Sequence, residues 1–246
     1  NVLALVSFPG VDGTLLSQGL SREAYEALLA QPGDPFFNRA LASRYPVGST
    51  IKPFMGVAAL TENIVTPATV IEDRGAITIP DVYVPGKVYT FHGYTPLGPV
   101  TIFSAIALSS DIYFYTVGGG YGGIKGLGVE RIEAYLRKFG FGEKLGIDVP
   151  GEREGLVPTP AYKKERTGEE WRIGDTYNIS IGQGDLGVTP LQLAVATAAI
   201  ANGGTLWRPH VADRVVDADF SVLEKFEPTV LRSVAVPREH IETIRK

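Results

Sequence analysis

The 246 residues include 44% hydrophobic and 10% aromatic side chains, ample for a buried core in one large domain or two small ones. Lys and Arg number 23 against 27 Asp and Glu, a net charge of −4 with no long basic cluster, which points away from nucleic acid as a partner; with no cysteine, disulfides and thiolate metal sites are excluded while the redox compartment stays open. No stretch approaches the roughly 20 apolar residues of a membrane span, since the apolar segment 191–201 is short and interrupted by Gln192 and Thr197.

Residues 1–8 read as a strand closed by the turn residues Pro9, Gly10, Asp12 and Gly13. With Asn1 first, Met55 the only methionine, and a proline-initiated helix over 236–246 that simply stops, both ends are expected to be cuts in a longer chain. Residues 21–30 predict a helix capped by Ser21.

The next feature is Ser49, Thr50, Ile51, Lys52: an SxxK followed by Pro53. Proline lacks a backbone N–H and is tolerated only in the first turn of a helix, so the apolar run Phe54, Met55, Val57, Ala58, Leu60 must be a helix that begins at 49–52. A hydroxyl there lies among unsatisfied amide N–H groups at the positive end of the helix dipole, and a lysine three residues on shares its face. That pairing is the equipment of an acyl-transfer nucleophile with a lysine base. By average usage an SxxK arises on the order of once by chance in such a chain, so the motif alone is weak evidence.

Residues 66–99, dense in proline, glycine and β-branched or aromatic residues, predict short strands and irregular loops. A helix is expected over 102–108, ending in Ser109, Ser110 and Asp111; taken by themselves, those three residues read most simply as a helix-terminal turn. An apolar run resumes over 112–117, and 129–139 has helical periodicity and stops at Gly140. Between them Gly118, Gly120 and Gly123 satisfy GxGxxG, but a dinucleotide-binding helix should open inside that motif, whereas this one begins near Val129. A mobile glycine loop between two helices is the better reading.

Residues 146–178, rich in Gly, Pro and charge, read as a long surface excursion with little periodicity. Thr189 then caps a helix with Pro190 in its first turn, running to the Asn202, Gly203, Gly204 stop, and 211–216 reads as a strand. His92, His210 and His240 are scattered without metal-ligand spacing, so neither a metal nor a cofactor is expected. No serine lies in a GxSxG elbow. No repeat divides the chain, and 1–246 is taken as a single domain.

An SxxK, a second serine triplet and a KTG-type triplet form the motif set of penicillin-binding proteins and serine β-lactamases. Ser109, Ser110 and Asp111 follow Ser49 in the right order, and the segments YPVGSTIKPF (45–54), IDVPG (147–151), GDTYN (174–178), IGQG (181–184) and VTPLQL (188–193) resemble the transpeptidase domain of class B penicillin-binding proteins over essentially the whole chain. The likeness is to the elongation type that builds the side wall of rod-shaped bacteria; LALVSFPG and SSDIYFY read the same way.

The resemblance implies an α+β fold of the penicillin-binding transpeptidase and serine β-lactamase kind, a helical cluster packed on an antiparallel sheet. It implies a peptidoglycan D,D-transpeptidase in which Ser49 attacks the penultimate D-alanine carbonyl of a stem peptide, Lys52 takes the hydroxyl proton, Ser109 relays a proton, and Ser110 and Asp111 bind substrate. A serine β-lactamase, a D,D-carboxypeptidase or a β-lactam-sensing domain on the same fold are the alternatives. Implied partners are stem peptides and their lipid-linked precursor, β-lactam antibiotics, a glycan polymerase and elongation-complex scaffold proteins. The implied location is the bacterial cytoplasmic membrane, with the catalytic domain on the periplasmic or outer face and an anchor upstream of Asn1. Two departures stand out. Asp111 replaces the asparagine usual in the wider superfamily, which would favour a charged Lys52 if the two are close. No KTG or KSG occurs, so the domain is expected to be truncated before the strand that carries that triplet, and the sheet to lack its C-terminal strands.

Overall fold

The computed structural model describes residues 1–81 and 84–246; Val82 and Tyr83, inside the predicted strand-and-loop region 66–99, lie outside the described residues. Its architecture is mixed α+β, with one main core built on a central helix. Three short helices lead in: α1 (Gly13–Ser17), α2 (Arg22–Leu29, capped by Ser21) and α3 (Arg39–Ala42). A 3₁₀ turn, Gly48–Ile51, runs straight into α4 (Lys52–Thr61), with Pro53 in its first turn as the sequence requires. Every α4 residue from Phe54 to Leu60 is buried, which is why the helix shows no polar stripe: neighbours surround it. Phe54 packs edge-on to Phe139 and Phe141 at centroid distances of 5.0 and 5.1 Å.

The strands β1 (Ile71–Asp73), β2 (Ala76–Pro80), β3 (Val88–His92) and β4 (Gly98–Val100) follow as predicted, pairing β1 with β4 and β2 with β3. Then come α5 (Ile102–Ala107), α6 (Asp111–Gly119), α7 (Val129–Lys138), α8 (Pro160–Thr167), α9 (Ile173–Ser180) and α10 (Pro190–Ala201). Last are β5 (Thr205–Trp207), β6 (Arg214–Val216), β7 (Val222–Lys225), β8 (Val230–Ser233) and α11 (Arg238–Arg245). Among the described residues the antiparallel strands form four two-stranded ribbons: β1·β4, β2·β3, β5·β8 and β6·β7. Thr189 and Gln192 close a reciprocal capping box on α10, each side chain satisfying the other's backbone N–H at 3.2 Å.

Three sequence expectations need correction. Residues 1–8 form no strand: the segment makes one backbone bond, from the Val2 N–H to the His210 carbonyl (2.8 Å), and a lone bond sustains no ladder. Leu3, Val6 and Phe8 consequently stay exposed, and with α10 the segment borders an apolar cavity of about 660 Å³. Residues 146–178 are not irregular throughout, because Thr159 caps α8 with Pro160 in its first turn, and α9 buries Thr176, Tyr177, Ile179 and Ser180. The strand expected over 211–216 is confined to β6, since the N–H groups of Val211 and Ala212 are taken by the Asp148 carboxylate at 2.8 Å each.

The glycines after Val117 are used for close packing. A Cβ on Gly118 would stand 1.8 Å from Ser180 Oγ, and one on Gly119 would stand 2.4 Å from the Tyr177 ring, so only glycine lets α6 and α9 meet at this depth. Leu127 and Gly128 donate their N–H groups back to the carbonyls of Val117 and Gly118 (2.9 Å each), which ties the expected mobile loop down at its base.

Candidate active site

Ser49 stands in the 3₁₀ turn that opens α4, with its side chain exposed, while Lys52 one turn on is 1% exposed. A backbone-to-backbone contact fastens the turn from outside. Gly48 donates its N–H to the Gly182 carbonyl at 2.9 Å, and the two chains approach so closely that a Cβ on Gly182 would lie 2.1 Å from the Gly48 carbonyl oxygen. Gly182 also has φ +75°, a conformation L side chains rarely adopt. Here is a physical reason for the IGQG segment that sequence alone did not supply. Gly182→Ala is expected to lower stability by about 1–3 kcal/mol in chemical denaturation and to slow any reaction at Ser49, because the turn that carries Ser49 has to move.

Ser109 and Ser110 do form the helix-terminal turn that was the plainest reading of them, and the turn is also what builds the site. Ser109 sits between α5 and α6 at φ +57°, a left-handed conformation that costs a serine about 1–2 kcal/mol. Ser110 caps α6, accepting the Tyr113 N–H at 3.0 Å. This kink points the Ser109 hydroxyl at α4. Ser109 Oγ donates to Ser49 Oγ at 2.8 Å, and Lys52 Nζ donates to Ser109 Oγ at 2.9 Å, to the Ser109 carbonyl at 2.7 Å and to Asp111 Oδ1 at 2.6 Å. All three ammonium protons are therefore engaged. Lys52 reaches Ser49 through Ser109, with no direct bond between them among these contacts. The Phe114 ring lies 5.7 Å from Nζ.

The electrostatics are finely opposed. Burial pushes the Lys52 amine below its ordinary value of 10.5, and the hydrogen bond and charge of Asp111, with the charge of Asp73 behind it, pull it back up. The side chains of Ser49, Lys52, Ser109 and Asp111 thus converge, and the proximity of Asp111 to Lys52 is realised; Ser110, expected to bind substrate, is instead 1% exposed and turned inward onto Asp73 and the Tyr113 N–H, out of a substrate's reach. Sequence reasoning missed Asp73 on β1. It is 1% exposed and accepts the Ser110 hydroxyl proton at 2.6 Å and the Gly75 N–H at 2.9 Å. Its only sequence signal was an acidic residue just before a turn. Among the described residues no three His, Cys, Asp or Glu side chains converge on a metal site, and no helix is long and apolar enough to cross a membrane.

An exposed serine hydroxyl, joined through a second serine to a buried amine of lowered basicity, at the start of a helix, is an arrangement with the chemical parts that lysine-assisted serine acyl transfer requires. The model of the penicillin binding protein transpeptidase domain matches residues 1–246, and the chain belongs to that family. It is 38% identical over 233 residues to the peptidoglycan D,D-transpeptidase MrdA of Haemophilus influenzae, covering 94% of this chain and 34% of the relative. Its fold is similar to that of Helicobacter pylori PBP2 solved in complex with MreC, with a TM-score of 0.75 and 29% identity over 92% of this chain and 38% of that one. It is also similar to penicillin-binding protein A from M. tuberculosis, solved as a penicillin G acyl-enzyme complex, with a TM-score of 0.75 and 26% identity over 98% of this chain and 52% of that one. The chain spans about a third of the length of the curated relatives it matches.

Proposed function

We propose that this chain carries the acylation site of a peptidoglycan D,D-transpeptidase, with Ser49 as nucleophile, Lys52 as base and Ser109 as proton relay. The observation that carries the reading is the continuous hydroxyl-to-amine path from Ser49 through Ser109 to Lys52. In the resting arrangement the path runs outward from a charged ammonium. Once Lys52 gives up a proton it can accept one from Ser109 Oγ, and Ser109 can then accept one from Ser49. Ser49 Oγ attacks the penultimate D-alanine carbonyl as its proton moves to Ser109 and the Ser109 proton moves to Lys52. The same path returns a proton to the departing amine of the terminal D-alanine. An amine of a second stem peptide then attacks the ester, forming the cross-link and restoring the Ser49 hydroxyl.

Asp111 is assigned to the substrate side of the site as the charge that positions Lys52, and the buried Ser110 acts from behind it as the cap that orients the triplet. An ionised Asp111 cannot donate a hydrogen bond to a substrate carbonyl, so its contribution runs through the lysine. β-Lactams are read as mimics of the first substrate that leave a stable ester on Ser49, in keeping with the penicillin acyl-enzyme of the M. tuberculosis relative. The proposal extends to a side-wall role, a membrane-anchored protein with its catalytic domain on the periplasmic or outer face, the lipid-linked precursor as substrate source, and a glycan polymerase with scaffold proteins as partners; a PBP2 solved with MreC and a similar chain solved in a peptidoglycan synthase complex that coordinates polymerization and crosslinking support the partner part of it. Residues 1–246 are read as one transpeptidase domain.

Mass spectrometry after incubation with a penicillin tests the reading. The expected result is an adduct of the whole drug mass on the peptide containing Ser49 that persists for hours. Shedding of the adduct within minutes would move the chain to the hydrolases of the same fold, and an adduct on any other residue would overturn the assignment.

A further inference from the structure

Behind the serine triplet lies a buried carboxylate that the acyl-transfer path does not touch. Asp73 is 1% exposed, at the end of β1, whose pairing with β4 and the Leu97 N–H to Asp73 carbonyl bond (3.1 Å) fix its backbone. Its side-chain oxygens divide between the Gly75 N–H (2.9 Å) and the hydroxyl of Ser110 (2.6 Å), a short bond of the charge-assisted kind. Ser110 is itself 1% exposed, and its oxygen already accepts the Tyr113 N–H as the cap of α6. Its proton therefore has Asp73 as its partner, and without that carboxylate it would be a buried donor left unsatisfied. Immediately before Ser110 stands Ser109, in a left-handed conformation that its surroundings must enforce.

We propose that Asp73 is a positioning residue for the acylation site: gripping the Ser110 hydroxyl from the β1 side, it holds the strained Ser109 turn in register with Lys52 and Ser49. The same carboxylate places a second negative charge behind Lys52. The charged groups acting on Lys52 are Asp111 from α6 and Asp73 from β1, and Asp111 in turn faces Tyr115. Other titratable groups against α4 sit at its far end: His240 of α11 on Thr61, and Arg131 and Tyr135 of α7 on Glu62. The inference rests on the acyl-transfer reading for its catalytic consequence, and on the hydrogen bonds alone for its structural one.

Asp73→Asn is the informative variant. An amide offers one acceptor oxygen where the carboxylate offers two, so it can keep Ser110 or Gly75 but not both, and it removes the charge behind Lys52. In the full chain two things are expected. The high-pH plateau of acylation by a fluorescent penicillin falls roughly 10-fold or more, and the Lys52 side-chain titration, followed by NMR of isotope-labelled lysine and assigned with Lys52→Arg, moves down by roughly half a pH unit or more. Ser110→Ala should lower the plateau similarly, and the double variant should be no slower than the slower single one, because both break the same bond. A wild-type plateau with an unmoved Lys52 midpoint in Asp73→Asn overturns the proposal. So does a plateau that falls only in step with the folded fraction while the midpoint stays put. If Ser49→Ala labels as fast as wild type, the acyl-transfer reading fails instead, and the Lys52 midpoint still decides whether Asp73 acts on the turn.

Discussion

Replacing Ser49 by alanine is expected to abolish covalent labelling by a fluorescent penicillin while changing the unfolding free energy by no more than about 0.5 kcal/mol. The first half follows from chemistry, since an acyl-enzyme needs an oxygen to form an ester with. Neighbouring hydroxyls cannot substitute. Thr50 Oγ1 is turned away and donates to the Val47 carbonyl at 2.7 Å, and Ser109 Oγ is set back against Lys52 as the link in the path. The second half follows from exposure: Ser49 faces solvent, its Oγ receives one hydrogen bond from Ser109, and water replaces that partner without strain. The measurement is a gel or mass-spectrometric labelling time course beside a denaturation curve. Equal labelling of the two proteins would mean that some other residue is the nucleophile.

Lys52→Met tests the other end of the path. Loss of a general base typically costs 10²–10⁴-fold, and here the residue also orients Ser109 through two of its three hydrogen bonds, so the acylation rate should fall toward the larger figure, about 10⁴-fold. The pH dependence gives a sharper signature. In the wild-type chain burial lowers the Lys52 amine below its ordinary 10.5, so between the lowered value and 10.5 the unfolded state holds more protons than the folded one. Stability contributed by this group therefore rises with pH across that window and is flat below and above it, and the acylation rate rises with pH through the lower edge of the same window. Both rises should vanish in Lys52→Met. A variant that kept the pH-dependent rise in labelling would show that another group supplies the base.

How far these features could be read from residues alone depended on whether a local rule governed them. Pro53 forced a helix start at the SxxK, and the Thr189, Pro190, Gln192 pattern wrote its own capping box, because both are short-range constraints that tertiary contacts do not overrule. The segment 1–8 failed for the opposite reason: a strand is defined by its neighbour, and apolar composition cannot say whether one is present. Helix α9 was hidden because its buried residues Thr176, Tyr177 and Ser180 are polar by type, so no apolar stripe marks the face that packs on α6. Within the site, the triplet's order was visible and its geometry was not. That Ser109 mediates between Ser49 and Lys52 depends on one backbone angle, and that Asp73 stands behind Ser110 depends on a strand pairing.

The main-chain clasp between Gly48 and Gly182 has an evolutionary corollary. Because it is made without side chains, selection has no graded series of substitutions at Gly48 or Gly182 with which to loosen the Ser49 loop by degrees. Variation that reshapes this corner of the molecule therefore falls to the walls around that loop, leaving its foundation untouched.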